Sequence, residues 1–238
     1  MSIFKFKFFD VKQSDAPMRV GTDTMVLGAS IDVFGKSYGL DVGAGTGVLS
    51  LMCAQRNSKI EIDAIELDGL ASKECAYNFF QSNFSQRLTS IHLDFIEFDT
   101  TKKYDLIVSN PPFFQTGLEN EDQRKSNSRH ERSLPKALFV EKVSGLLDQH
   151  GDFWIIVPYI DIEGWVDAAS SNNLKLNSQT NIRGKQGASY IRSILRFSKL
   201  PNNIIIIDLT IRSVSGGYTE EYIDLTYNFH FKDLRKNI

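Results

Sequence analysis

The chain has 238 residues, 42 % apolar and 24 % charged, with 17 Phe, enough for a sizeable core in one large domain or two small ones. Lys and Arg total 27 against 29 Asp and Glu, a net charge of −2, so the overall balance demands neither nucleic acid nor an anionic membrane. No apolar run approaches the roughly 18 residues of a membrane span, and Cys53 and Cys75 have no nearby Cys or His partner, which favours buried thiols in a reducing cytoplasm over zinc or a disulfide.

The N-terminus, Ile3-Phe4-Lys5-Phe6-Lys7-Phe8-Phe9, alternates Phe with Lys, a strand pattern and not the apolar region of a signal peptide. Strands and helices then alternate. Strands are predicted over Tyr38–Val42, Ile60–Ile65, Leu88–Leu93, Tyr104–Ser109 and Asp152–Val157. Helices are predicted over Val48–Arg56, Gly69–Phe84, Leu134–Leu147 and Asp161–Ser170. The rhythm changes after this, with strands predicted at Leu174–Ile182, Ile191–Phe197 and Ile204–Ile211. The pattern predicts an α/β fold: a mostly parallel sheet with helices on both faces and antiparallel strands at its C-terminal edge. Residues Gln115 to Ser133 form a polar connection too long for an ordinary loop, and it is read as facing substrate.

Leu40-Asp41-Val42-Gly43-Ala44-Gly45-Thr46-Gly47 joins the first strand of this series to its helix. Gly43, Gly45 and Gly47 permit a tight turn and a close ligand. Their spacing is G-x-G-x-G, not that of dinucleotide folds, and no Lys-Ser/Thr follows to make a phosphate loop. The Asp41 carboxylate would repel a pyrophosphate and suits an ammonium-bearing ligand. Glu66 ends the next strand, where a carboxylate can accept both ribose hydroxyls. Asp68 is placed to cap the following helix. Asp94 ends the third strand and can accept from an adenine amino group, with Phe95 beside the ring.

Asn110-Pro111-Pro112-Phe113 closes the fourth strand. Two prolines cannot continue a strand, so the chain turns at the strand's C-terminal end, where open α/β sheets bind ligands. The Asn110 amide oxygen and the Pro111 carbonyl can accept both hydrogens of an NH₂ group, and Phe113 can stack on a flat base. The set suits a planar amine.

Taken together, these motifs resemble the class I S-adenosylmethionine-dependent methyltransferases with a Rossmann-like fold, and among them those that methylate amino groups. Phe9-Asp10-Val11-Lys12-Gln13, Met18-Arg19-Val20-Gly21-Thr22-Asp23 and Leu27-Gly28-Ala29 are similar to bacterial tRNA (adenine-N6)-methyltransferases acting on position 37 of a valine tRNA. The similarity continues through Phe114, Arg124 to Arg129-His130, and Tyr218-Thr219 to Phe229, so it covers nearly the whole chain. Thr24 departs from the pattern, which has Gly there.

The resemblance implies S-adenosyl-L-methionine as cofactor, tRNA as partner, no metal, and a cytoplasmic enzyme. It implies one methyltransferase domain over residues 1–238, in which residues 1–36 enclose the cofactor and residues 37–238 form the catalytic sheet core. Thr22 and Asp23 help to hold the cofactor together with Asp41, Gly43, Gly45, Gly47, Glu66, Asp94 and Asn110, with a capped helix start as the other reading of Thr22 and Asp23. Cations for RNA are sought at Arg124, Lys125, Arg129 and His130. A second group lies between Asp167 and Asp208, a stretch without acids that carries Arg183, Lys185 and Arg192. Other acceptors with an NH₂ group remain open: guanine N2 of ribosomal RNA, adenine N6 of DNA, and a protein glutamine. A non-catalytic, cofactor-binding RNA protein is the further alternative.

Overall fold

A computed structural model describes residues 2–16, 19–111 and 136–237. Ten strands are described: β1 (Ile3–Lys5), β2 (Asp10–Lys12), β3 (Tyr38–Val42), β4 (Glu61–Glu66), β5 (Leu88–His92), β6 (Tyr104–Ser109), β7 (Leu147–Pro158), β8 (Lys175–Lys185), β9 (Arg192–Ser198) and β10 (Ile205–Arg212). The α-helices are α1 (Thr22–Ser30), α2 (Val48–Arg56), α3 (Gly69–Gln81), α4 (Lys136–Leu146), α5 (Ile162–Ser171) and α6 (Glu220–Thr226). Strands β3 to β10 form one eight-stranded sheet in the order β10-β8-β9-β7-β6-β3-β4-β5. No helix among the described residues is long and apolar enough to cross a membrane.

The centre of the sheet is parallel: β3 pairs in parallel with β4 and β6, β4 with β5, and β6 with β7. Such strands are covered on both faces and read as continuous apolar runs. Leu106, Val108, Ile62 and Ala64 face a core shared with α1, α2 and α3, while Leu40, Ile107, Phe153 and Ile155 face a second core with α4 and α5. Because β3 to β7 run in the same direction, their C-terminal ends line up along one rim of the sheet. Close helix packing on the first face needs Gly28, since a Cβ there would meet Met52 Sδ at 2.4 Å.

The mostly parallel sheet with antiparallel pairing toward the C-terminal edge agrees with expectation. The reversal is confined to one strand: β9 is antiparallel to both β7 and β8, whereas the edge strand β10 is parallel to β8. The N-terminal alternation is a strand only over β1, and the chain turns through Phe6 to Phe9 into β2, which begins beyond it at Asp10. The chain turns back between them because the Phe6 and Phe9 rings stack at 4.4 Å in the core, and Phe6 N–H donates to Phe9 O. Strand β7 starts five residues earlier than predicted, and α6 was not anticipated. The start of α6 is capped by Thr219, whose hydroxyl oxygen accepts from Tyr222 N–H.

Strand β10 leaves one edge of the sheet open, and Ile204, Ile205, Ile206 and Ile207 are each more than half exposed along it.

Candidate active site

The loop after β3 is shaped by its glycines. Gly43 and Ala44 N–H both donate to Ile65 O, which draws the turn toward the end of β4. Gly43 and Gly45 have φ of +70° and +55°, and open space lies where a Cβ would point. Gly47, at φ +81°, serves packing instead: a Cβ would lie 2.5 Å from the Phe79 ring.

Asp41 is fully buried beneath this loop. Its Oδ2 accepts from Ser50 N–H at 3.1 Å and from Ser50 Oγ at 2.7 Å, tying β3 to the first turn of α2. Its Oδ1 has no hydrogen-bond partner among the described residues. Burial drives the carboxyl upward, the Ser50 bonds oppose this, Glu66 adds repulsion, and the pKa rises from 3.8 to about 7. At the end of β4, Glu66 Oε2 accepts from Gly45 N–H at 2.7 Å and Oε1 from Asp68 N–H at 2.8 Å. Asp68 caps α3 as expected, accepting from Leu70 and Ala71 N–H. Asp94 Oδ1 accepts from Ile96 N–H at 2.9 Å in the turn after β5. Phe95 corrects its sequence reading: it is buried against Phe139 in the core, so it is not a free ring beside a base.

Asn110 stands half-buried where β6 ends, followed by the buried Pro111. Ser109 Oγ donates to Val42 O at 2.8 Å, fixing this end of β6 against the glycine loop. The Asn110 amide Nδ2 donates to Thr24 Oγ1 at 2.9 Å. Thr24, noticed in the sequence only as a departure, thus reaches a residue 86 positions away. Thr22 and Asp23 lie in the first turn of α1, the helix start that was the other reading of this segment. Asp23 Oδ2 accepts from Arg192 Nε at 2.8 Å. Pro112, Phe113, Arg124, Lys125, Arg129 and His130 lie outside the described residues.

The segment leading to α1 is held by α3, which nothing in the sequence announced. The buried Glu74 accepts N–H bonds from Ser14, Asp15 and Ala16 at 2.9, 3.1 and 3.0 Å. Burial alone would raise the Glu74 carboxyl, but the Ala16, Asp15 and Ser14 N–H groups and Lys12 outweigh it and hold it below its ordinary value. The buried Asn78 accepts from Lys12 N–H and donates to both Lys12 O and Thr46 O. One amide therefore joins the N-terminal segment to the glycine loop.

The basic stretch presents fewer free cations than its composition suggested. Arg183 is 3.1 Å from Asp208, Arg196 is 3.7 Å from Asp152, and Arg192 is held by Asp23. Lys185 is exposed at the end of β8. Cys53 and Cys75 are buried thiols, and burial pushes Cys53 up to about 12.

This rim has the chemistry to hold a flat ligand that carries positive charge. Asp41 keeps one buried carboxylate oxygen without a partner among the described residues, glycines leave space beside the backbone above it, and Glu66 offers oxygen acceptors to a diol. Two carboxylates and no nearby loop lysine disfavour a pyrophosphate.

The methyltransferase small domain family matches residues 18–158. The tRNA1(Val) (adenine(37)-N6)-methyltransferase of Aliivibrio fischeri is 37 % identical over 227 residues, spanning 95 % of this chain and 97 % of that protein. The protein of the same name from Flavobacterium johnsoniae is 37 % identical over 234 residues, spanning 97 % of this chain and all of its own length. Among solved structures, a predicted O-methyltransferase from Agrobacterium tumefaciens superposes with a TM-score of 0.68 at 16 % identity, covering 87 % of this chain and 96 % of its own. That likeness speaks for the fold alone.

Proposed function

This chain belongs to the methyltransferase small domain family and, within it, to the family of tRNA1(Val) (adenine(37)-N6)-methyltransferases, and from this premise we propose that it methylates the exocyclic N6 of an adenosine, position 37 of a valine tRNA, with S-adenosyl-L-methionine as methyl donor. The observation that carries the reading is the Asn110 amide at the end of β6, with its Nδ2 bound to Thr24 and its Oδ1 accepting no hydrogen bond from any described residue.

When bound, S-adenosyl-L-methionine supplies a methyl group on a positively charged sulfur. Asp41, the backbone of Gly43, Gly45 and Gly47, Glu66 and Asp94 would hold it, with Thr22 and Asp23 at the start of α1 beside them. Residues 1–36 would act as an extension that encloses this cofactor, a reading supported by the bonds of Glu74 and Asn78 to residues 12–16 and to the glycine loop. The Asn110 Oδ1 and the Pro111 carbonyl accept the two hydrogens of the adenine amine. Their acceptance localises the nitrogen lone pair, which is otherwise shared with the purine ring, and aims it toward the methyl. As the nitrogen–carbon bond would form and the carbon–sulfur bond break, its electron pair left on sulfur, positive charge would grow on the amine and these two acceptors would stabilise it. No strong base is required before attack, because the proton leaves only after the amine has become cationic and then passes to solvent water. Adenosine must leave its stack to reach such a pocket. From the sequence motif, Phe113 is the residue we assign to stacking on the base, with Pro112 beside it in the motif. Arg124, Lys125, Arg129, His130 and Lys185 are the cations we assign to the RNA backbone. The cytoplasm is the compartment this reading requires.

A labelled-methyl transfer assay tests the proposal, with unmodified tRNA, ribosomal RNA, DNA and release factor offered in parallel. Label is expected in tRNA alone, as N6-methyladenosine on nucleoside analysis. Label in any of the other acceptors, with none in tRNA, would refute the assigned substrate.

A further inference from the structure

Beyond the amine pocket, the rim carries an aromatic and cationic cluster that the reaction itself does not use. Asn110 is bonded to Thr24, and the neighbouring Asp23 is bonded to Arg192 at the start of β9. Ile191, one residue before, accepts from Tyr159 N–H at 3.2 Å, and this joins the turn after β7 to the β8–β9 hairpin. The Tyr159 and Tyr190 rings lie there with centroids 5.0 Å apart and planes inclined by 35°. The Arg183 guanidinium sits 4.2 Å from the Tyr190 ring centroid. Asp208 fixes the group by accepting from Tyr190 Oη and from Arg183.

Two further observations point to an anion. Lys185 and Arg212 are direct register partners on β8 and β10, and both are exposed. Like charges on neighbouring strands repel, and an anion between them would relieve this while Arg212 keeps its bond to Gly216 O and its contact with the Tyr218 ring. The turn that leads to Tyr190 starts at this pair: Gln186 N–H donates to Arg212 O, and Ala188 N–H donates to Lys185 O. The acids nearby are already matched, Asp208 to Arg183 and Asp23 to Arg192.

Aromatic faces next to paired cations are the chemistry of a single-stranded nucleotide: base on ring, phosphate on cation. We infer that the β8–β9 hairpin forms a second nucleotide subsite, in which an unpaired base flanking the target adenosine stacks on the Tyr159–Tyr190 pair and its phosphate lies between Lys185 and Arg212. The inference rests on the RNA reading above. It adds that recognition extends to a neighbouring nucleotide and assigns that contact to residues outside the amine pocket. By gripping the flanking base, the subsite would hold the loop splayed while the target enters the pocket.

The test uses the full chain without methyl donor and a stem-loop RNA with one target adenosine in its loop. The fluorescent base 2-aminopurine replaces the nucleotide on either side of it in turn. Stacking on a protein ring quenches this probe. Wild type is expected to quench it at one of the two positions. Tyr159→Ala and Tyr190→Ala should each abolish the quench and weaken RNA binding about tenfold, within the usual worth of one stacked base. Tyr190→Phe keeps the ring and should keep both signals. The Lys185→Ala/Arg212→Ala double variant should reduce the salt dependence of binding by about one phosphate contact. No quench at either position, or alanine variants that bind and quench as wild type does, overturns the subsite. Tyr190→Phe behaving like Tyr190→Ala would also overturn it, by showing that the hydroxyl bond to Asp208 matters and the ring face does not. Should Tyr190→Ala melt early, Tyr159→Ala carries the same test. Methyl transfer is measured in parallel on the same RNA. Transfer without quench refutes the subsite alone, and quench without transfer refutes the enzymatic reading alone.

Discussion

The two ends of the sheet hold their charged groups in different ways. At the β3–β4–β5 end, carboxylates are bound to backbone N–H groups: Glu66 to Gly45 and Asp68, Asp68 to Leu70 and Ala71, Asp94 to Ile96, and Glu74 to residues 14 to 16. At the β7–β10 end, arginines are bound to acidic side chains: Arg192 to Asp23, Arg183 to Asp208, and Arg196 to Asp152. A carboxylate seated on backbone amides cannot shift without moving the loop that supplies them. Ion pairs between partly exposed side chains are worth about 1 kcal/mol or less and exchange partners readily. The first end is therefore set before any ligand arrives. On the RNA reading proposed above, the second would trade internal acids for phosphates, and salt weakens both kinds of pairing there.

The largest effect is expected from Asp41, the acid of the first end that is fully buried and has one oxygen without a partner among the described residues. In the folded chain the Asp41 carboxyl titrates at about 7 instead of 3.8, chiefly through burial. A raised acid keeps its proton in the folded state after the unfolded state has lost it, so its stabilising contribution is complete below about pH 4 and disappears as pH rises to about 7. At roughly 1.4 kcal/mol per pKa unit, wild type should lose up to about 4 kcal/mol relative to Asp41→Asn across that window. Urea melts of both proteins without cofactor, at several pH values, measure the difference. A flat difference would place Asp41 among the ordinary carboxylates and remove the exception.

Asn110→Ala tests the seam between the two ends. Turnover should fall roughly 10²-fold, the scale of losing one preorganised polar contact, while calorimetry shows cofactor affinity unchanged. A loss of cofactor binding instead would move Asn110 into the first end. A smaller change is expected at Thr24→Val, which leaves the Asn110 amide without its acceptor. Turnover should drop about fivefold, equivalent to one neutral hydrogen bond of about 1 kcal/mol, and Thr24→Ser should restore it. Added to Asn110→Ala, the valine should cost nothing further, because its effect passes through the amide. An additive result would break the link between α1 and the β6 turn.

What could be read from the sequence divides along the same line. The bounds of β3, α2 and β6 and the cap at Asp68 followed from turn chemistry and apolar runs, which act within a few residues. The glycine loop was legible because its conformation excludes most other residues. Glu74, Asn78 and Thr24 were not, since their partners lie 32 to 86 residues away and no local pattern marks them. The basic stretch from Lys175 to Lys199 was legible as composition, but pairing across elements decided which cations stay available. Tyr159 and Tyr190 belong to two separate turns, and only the sheet brings them together.

The isoleucines of β10 bear on how this protein behaves while it is being made. A strand with free backbone groups on one side and greasy residues on both faces is a template to which an unfinished copy can add. Yield in a producing cell then depends on how fast chains are synthesised relative to how fast each one closes. A lysine in place of Ile206, which already faces water, would blunt that template at little expense to the fold.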